Sequence, residues 1–434
     1  MQIKKDKTNI IFNDLSKKFD QLFPIHRSIV SDGFLSSVKI LWNSFDYRLV
    51  KFRTGSKVYD WTVPKSYKVN NAYIITPDKK KICDFKKNNL HLINNSHSIN
   101  KFIELKDLKK ILITDKKLPT AIPYSFSYYK KKSGFCISYN EFKKLKKGKY
   151  QILIDSNFKN SNMIVAESVV KTTERSKNFF LLSSYLCHTQ MANNELSGPL
   201  VLKVLQECLS KWSIRNLNYR FVLNPETIGS IFYINRFKKQ MKKNLVGGMV
   251  LTCLGGPAKK ISFKKTRNEN QFINEFFDYF KQKGIIDIRD YTPLTGSDER
   301  QYNSTGIDLP VGQITRTEYL KYKEYHTSND DKKFMNINQI LKSVNELEKL
   351  IFYFDNFFPI IVKKQKNFEV FLDKYGLYKD KKKNPLTKTI LILLGYSDSR
   401  TRVFEIVKKF DLDLNITINA ISLLKRNKII SLKV

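Results

Sequence analysis

Between positions 179 and 355 short apolar runs alternate with stretches of helical spacing. Runs at 179–185, 219–223, 248–253 and 309–314 read as buried strands, because they are mostly apolar and carry no period-2 polar face. Helical patterns lie near 197–212, 227–241, 268–284 and 334–355. That alternation predicts a mostly parallel sheet with helices on both faces. Upstream, 10–43 carries helical spacing, with Phe19, Leu22 and Phe23 on one face and a second start at Ser31-Asp32-Gly33-Phe34. From 52 to 118 the pattern shifts to short β-type runs at 58–63, 72–76 and 82–85, broken by a Pro77-Asp78-Lys79 turn. Beyond Pro119 come β-type passages at 125–129 and 134–138, a helix at 139–147 and a strand at 150–154. A charged linker at 379–385 precedes three helical patterns (386–395, 401–410, 416–426) and a closing strand at 429–433, which together predict a winged helix. The expected division is an α/β domain over 1–51 and 119–379, an inserted β-rich domain over 52–118, and a winged-helix-like domain over 380–434.

Composition changes this picture little. The 434 residues are 41% hydrophobic, enough for a large core and more than one domain. The net charge of +38 invites a nucleic-acid reading, but Lys greatly outnumbers Arg and is spread along the whole chain. Base reading favours clustered Arg, so the charge predicts only non-specific contact with polyanions. Five dispersed cysteines without C-x-x-C spacing predict free thiols in a reducing cytoplasm. No apolar run is long enough to span a bilayer, and no signal core follows Met1, so a soluble cytoplasmic protein is expected.

Candidate chemistry gathers at strand ends. The first core strand runs into Cys187-His188, an Asn-rich loop with Asn194 and Glu195, and then Ser197-Gly198-Pro199 opening a helix. The carboxyl edge of a parallel sheet is where such folds keep ligands. Only five histidines occur: His26, His91, His97, His188 and His326. His326 lies in Glu324-Tyr325-His326-Thr327-Ser328-Asn329-Asp330, and Asp330 or Asp331 is a candidate outer partner for an imidazole. Pro225-Glu226-Thr227-Ile228-Gly229-Ser230 ends another strand with a carboxylate, and Ser297-Asp298-Glu299-Arg300 brings two acids and an Arg. Three His or carboxylate ligands plus a water form the usual catalytic zinc set, with a nearby carboxylate as base. The plainer alternatives stay open: two structural histidines, a helix-capping Glu226, a loop-holding Asn194, and a surface ion pair between Arg300 and Asp298 or Glu299.

The order strand-His188, Ala192-Asn193-Asn194-Glu195-Leu196-Ser197-Gly198, Pro225-Glu226-Thr227-Ile228-Gly229-Ser230, Ser297-Asp298-Glu299-Arg300 and Tyr325-His326-Thr327 resembles the zinc aminopeptidase superfamily, which includes glutaminyl cyclases. Phe23-Pro24-Ile25-His26-Arg27-Ser28, Gly55-Ser56-Lys57-Val58-Tyr59-Asp60-Trp61, Ala121-Ile122-Pro123-Tyr124 and Gly306-Ile307-Asp308-Leu309-Pro310 are similar to a polysaccharide-associated bacterial branch with an inserted β domain and a C-terminal winged helix. The resemblance implies His188 as first zinc ligand, His326 as last, and Glu226 as the strand-end carboxylate. Three departures follow. Asn194 stands where the superfamily has a metal-bridging Asp, Pro225 where it has a first Glu, and Thr252 where it has a further acid. These imply one zinc ion, with Asn194 and Glu195 the remaining candidate ligands. Proton transfer falls to Glu226, Asp298 or Glu299, and substrate binding to Arg300 and Tyr325. The implied function is a metal-dependent hydrolase of a peptide or amide bond near a free amine, or of an amino-sugar derivative, in surface-polysaccharide biosynthesis. Its rival is a non-catalytic binding protein built on a degenerate site. Homo-oligomerisation stays open.

Overall fold

A computed structural model describes residues 5–128, 130, 132–378 and 384–434. An eight-stranded sheet organises it. In chain order its strands are β1 (Arg48–Arg53), β2 (Asn162–Val170), β3 (Phe179–Tyr185), β4 (Asn218–Asn224), β5 (Leu245–Leu251), β6 (Ser262–Lys264), β7 (Asp287–Arg289) and β8 (Val311–Thr315). Across the sheet they lie β1-β2-β4-β3-β5-β8-β6-β7. The four central strands β4, β3, β5 and β8 run parallel, and antiparallel pairings extend the sheet at β1, β2 and β6. All seven residues of β3 are buried, as a central strand covered on both faces requires.

Alternation along the strands feeds two cores. Phe180, Leu182, Phe221 and Met249 face one side, under helices α1 (Lys5–Leu22), α2 (Asp32–Leu41), α3 (Ser197–Ser210), α5 (Phe272–Gln282) and α6 (Ile337–Phe357). Phe179, Leu181, Val222 and Val250 face the other, under α4 (Ile228–Asn244) through Tyr233, Ile234 and Met241. Asp355 of α6 fastens one end of this arrangement. Its buried carboxylate accepts the backbone N–H groups of Asn216 (2.9 Å) and Leu217 (3.0 Å) and the Tyr219 hydroxyl (2.7 Å), which sets the entry to β4.

The expected core strands and the four helices beside them are present. Strands β1, β2, β6 and β7 are additional. Both β1 and β2 lie in the antiparallel part of the sheet, and β6 and β7 are only three residues long. A separate four-stranded antiparallel sheet joins Lys81–Ile82, Ser66–Ile75, Lys149–Lys159 and Ile99–Glu104, in that order. The limits 52 and 118 expected for the β-rich insertion therefore miss it on both sides. Phe52 belongs to β1 of the large sheet, and Lys149–Lys159 is a central strand of the small one. In Lys149–Ser156 buried and more exposed positions alternate, the signature of a one-face antiparallel strand. Near 125–129 the described residues form an isolated bridge from Phe126 to Asn94 rather than a strand, and position 129 lies outside them.

Of the linker expected at 379–385, positions 379–383 lie outside the described residues. Three helices follow, Pro385–Gly395, Val403–Phe410 and Leu414–Arg426, and the first and third start on the side-chain caps Asn384 and Asp413. The strand expected as a wing, Ile430–Lys433, pairs antiparallel with Ile360–Lys363, upstream of all three helices. Phe404 inserts beside Phe272 and Phe276 of α5, with rings 5.3 and 5.6 Å apart, and so ties these helices to the main core. All five cysteines are unpaired. Among the described residues no helix is long and apolar enough to cross a membrane.

Removing the Asp355 anchor orphans buried donors on two elements at once. Asp355→Ala is expected to lower the unfolding free energy by about 3 kcal/mol in urea titrations. A loss below about 1 kcal/mol would contradict the anchoring role.

Candidate functional site

Strands β3, β4 and β5 end side by side, and each passes directly into a segment singled out by the sequence: Cys187-His188, Pro225-Glu226 and Thr252-Cys253. Backbone strain concentrates here. Gln190, Thr227, Cys253 and His326 all have φ between 46° and 64°, in the left-handed region that non-glycine residues seldom occupy. Helix α3 presses onto this edge at Gly198, where a Cβ would sit 2.3 Å from the Leu251 carbonyl oxygen and 2.4 Å from Ser184 Oγ. The turn before it, Ala192–Leu196, is π-helical. Asp330 pins that turn by accepting the N–H groups of Asn193 (2.6 Å) and Asn194 (3.0 Å). Asp330 is therefore a support for the Asn194 loop, not the outer partner of an imidazole. Asp331 caps its own turn through Lys333 and Phe334.

Glu195 determines how His188 is presented. One carboxylate oxygen accepts the His188 backbone N–H at 2.8 Å, and the other stands 3.0 Å from Nδ1. Arg27, fully buried, donates from Nε to the His188 carbonyl at 2.8 Å and lies 3.7 Å from Glu195. Nδ1 also lies 3.5 Å from Cys187 Sγ, and Nε2 faces Glu226 Oε2 at 3.6 Å. The other Glu226 oxygen accepts the Ser297 hydroxyl at 2.6 Å. Burial opposes charge on His188, yet Tyr124, Cys187 and Glu195 around it hold its pKa well above the ordinary value. Burial also pushes the Tyr124 hydroxyl and the Cys187 thiol up. Burial also raises Glu226, against the pull of His188.

His326 is the second imidazole of the site. Its ring lies 5.4 Å from that of His188, with Tyr124 5.2 Å from His188 and 5.3 Å from His326. Tyr325 stacks on it at 3.9 Å. Burial, reinforced by the charge on His188, holds His326 down to about 3, so it is neutral at physiological pH. Its Nε2 is 3.3 Å from Asn194 Nδ2. Asn194 Oδ1 is already engaged with the Tyr185 hydroxyl at 3.1 Å, and that hydroxyl also meets Thr252 Oγ1 at 2.6 Å. A neutral hydrogen-bonded network thus occupies the two positions where the resemblance would place acids.

The remaining candidates play other parts. Asp298 is fully buried and accepts from Asn224 Nδ2 (2.8 Å), the Thr227 N–H (2.6 Å) and the Ser230 hydroxyl (3.0 Å). It braces the turn that carries Glu226. Glu299, also fully buried, is held by Lys264 (3.0 Å), the Ser297 N–H (2.9 Å) and Gln313 (2.8 Å). Both carboxylates are spent on structure, and Arg300 donates to the Pro293 carbonyl at 3.5 Å. Residues that spacing did not single out, Arg27, Tyr124 and Ser297, complete the site. The first two sit in segments that carried the family resemblance, and Ser297 directly precedes the acidic pair.

A zinc ion would need three or more donors aimed at one point. Among the described residues no three His, Cys, Asp or Glu side chains stand so arranged. Glu195 is turned to Nδ1 and to the backbone of His188, and Asn194 directs an N–H group, not an oxygen, at His326. The residues present do not fit the ordinary zinc set.

A family model described as a domain of unknown function, DUF4910, matches residues 17–356. A Clostridium acetobutylicum protein assigned as a polysaccharide biosynthesis protein with an aminopeptidase-like domain is 34% identical over 343 residues, 78% of this chain and 76% of the relative. The crystal structure of a protein from the same organism, assigned as a peptidase, superposes with a TM-score of 0.85 at 29% identity, covering 99% of this chain and 100% of that one. A zinc aminopeptidase from Bacillus subtilis superposes with a TM-score of 0.57 at 11% identity, covering 79% and 93%. That last likeness speaks for the fold alone.

Burial, with Glu226 beside it, pushes Asp298 up to about 7. A carboxyl raised in the folded state stabilises most below its unfolded value and loses that contribution as pH rises through its folded value. Part of the protein's stability is therefore expected to fall between about pH 4 and about pH 7. Asp298→Asn should lack that part in urea titrations across the range. Parallel pH profiles for the two proteins would contradict the assignment.

Proposed function

The chain belongs to the DUF4910 family and has an aminopeptidase-like fold, and on that footing we propose that it is a peptidase-like hydrolase of an amide bond in a small amine-bearing substrate. The observation that carries this reading is the His188–Glu226 pair, 3.6 Å apart at the sheet's carboxyl edge. Glu226 is the proton-transfer carboxylate. It takes a proton from water as the water oxygen bonds to the amide carbon, and it returns that proton to the nitrogen as the C–N bond breaks. The charged His188, held by Glu195, polarises the carbonyl oxygen and steadies the developing oxyanion. Ser297 orients Glu226 through its second oxygen. The Bacillus subtilis structure is of a zinc enzyme. Since the donors here fall short of a zinc set, no step is routed through a metal.

The Clostridium relative's assignment supports a substrate drawn from polysaccharide synthesis, such as an amidated or acylated amino sugar. Five unpaired cysteines favour a reducing compartment, and we place the protein in the cytoplasm. A second reading has its own support. The Asn194 amide and the Thr252 hydroxyl, bonded through Tyr185, leave a neutral site suited to holding a ligand without turning it over.

The test is hydrolysis of aminoacyl-anilides and acylated amino sugars by the full chain, with zinc added and with chelator. Turnover is expected, and Glu226→Gln should lower kcat/KM by about 100-fold or more while the fold is retained. Ligand binding without turnover under either condition would favour the binding protein and end the hydrolase reading.

A further inference from the structure

The hairpin Lys57–Val58 with Trp61–Thr62 turns on two residues, Tyr59 and Asp60. Such turns favour Gly, Asn or Asp, because they need a left-handed backbone. Tyr59 stands there nonetheless, at φ 49°, with its side chain 88% exposed. Trp61 follows, 37% exposed. Among the described residues neither ring stacks on another aromatic ring or carries a cation. A strained turn thus holds two aromatic faces open to solvent. Both rings line a cleft of about 190 Å³ between this hairpin, α4 and the segment after Arg300. Asp60, Asn235, Lys238 and Gln301 supply polar groups to it, and among the described residues these four side chains make no hydrogen bond or ion pair within the protein. One acid and one base balance there, although the chain as a whole carries a net charge of +38.

Trp61 also lines the cleft that opens on His188 and Glu226. The two clefts follow one another along one face of α4. Ile228 lines the cleft at the pair, and Ile231, Ile234, Asn235 and Lys238 line the outer one. At a rise of about 1.5 Å per residue, Ile228 and Ile234 lie about 9 Å apart along the axis, farther than one sugar ring reaches.

We propose that the outer cleft is a saccharide subsite, and that it takes a sugar ring linked to the amino sugar whose amide bond meets the His188–Glu226 pair. The substrate is then an oligosaccharide, not a free amino sugar. The proposal rests on the hydrolase reading only for what happens at the pair. A sugar ring has an apolar face of C–H groups and a rim of hydroxyls, each of which donates and accepts. The free faces of Tyr59 and Trp61 suit the first. For the second, Asn235 and Gln301 both donate and accept, Asp60 accepts and Lys238 donates. Volume agrees, since a cavity of about 150 Å³ already admits a benzene ring. A purely apolar group would bury these four polar side chains without partners, and a phosphate-rich ligand would meet one carboxylate for its one cation.

The experiment applies the full chain to an array of immobilised bacterial oligosaccharides that also carries short peptides. A retained glycan and its constituent monosaccharides are then compared by calorimetry, and hydrolysis of acylated amino sugars is followed separately. The glycan should bind at least about tenfold more tightly than any of its monosaccharides. Tyr59→Gly with Asn235→Ala should remove at least about tenfold of that affinity, while Tyr59→Phe keeps most of it. Both altered positions are exposed and glycine suits the left-handed turn, so the melting temperature of the double variant should not fall. Retention of no glycan, retention of peptides alone, equal affinity for glycan and monosaccharide, or unchanged affinity in the double variant would overturn the proposal. Glycan binding of the expected kind without hydrolysis leaves the subsite standing and removes the hydrolase reading. Hydrolysis of acylated amino sugars with no preference for the longer glycan does the reverse.

Discussion

Glu195 is a carboxylate closed off from water, and a buried charge of this kind persists only where it is paired and hydrogen-bonded. Its partners are the His188 backbone, the His188 ring and the Arg27 guanidinium, so one side chain fixes the end of β3, the direction of an imidazole and the approach of the N-terminal segment. The rest of the site follows from that pairing. With Nδ1 turned toward Glu195, Nε2 faces across to Glu226. Burial, reinforced by the charge on His188, keeps the neighbouring His326 neutral. Two histidines a few ångströms apart thus acquire opposite protonation states, and groups whose environments separate their pKa values in this way can divide acid and base roles between them.

The scaffold contributes rigidity at the same place. Asp330 ties down the π-helical turn, Gly198 lets α3 approach the strand ends, and Asp298 braces the turn that carries Glu226. None of these residues needs to touch a substrate. They hold those that do, through the outer layer of contacts on which a precise site depends. The strained backbone at Thr227 is kept in place by Asp298, and that at His326 by the Tyr124 N–H, which donates to its carbonyl at 2.8 Å.

Much of this was legible in the chain. The apolar run at 179–182 marks a central strand, and the change from strand to polar loop places His188 and Glu226 at the sheet's edge. The small sheet was harder to bound, because Lys149–Lys159 and Asn162–Val170 are consecutive strands that join different sheets, and nothing local marks the change. The surroundings of the acids at 298 and 299 are hidden for a different reason. Next to Arg300 they resemble an exposed charge cluster, whereas their partners are Asn224 and Thr227, some 70 positions upstream, and Lys264, 35 positions upstream. Burial and long-range pairing of this kind have no local sequence signature. Arg27 was visible only as part of a motif, since a lone Arg near a helix end gives no hint that it will be sealed against a carboxylate.

The central claim is that Glu195 fixes the charge and direction of His188 beside a neutral His326. With only five histidines in the chain, selective ¹⁵N labelling allows each ring to be followed by NMR. At pH 7 the account predicts protons on both nitrogens of His188, with slow exchange at Nδ1, and a single proton on His326. A His188 ring with a bare Nδ1, or two rings with the same protonation state, would contradict it.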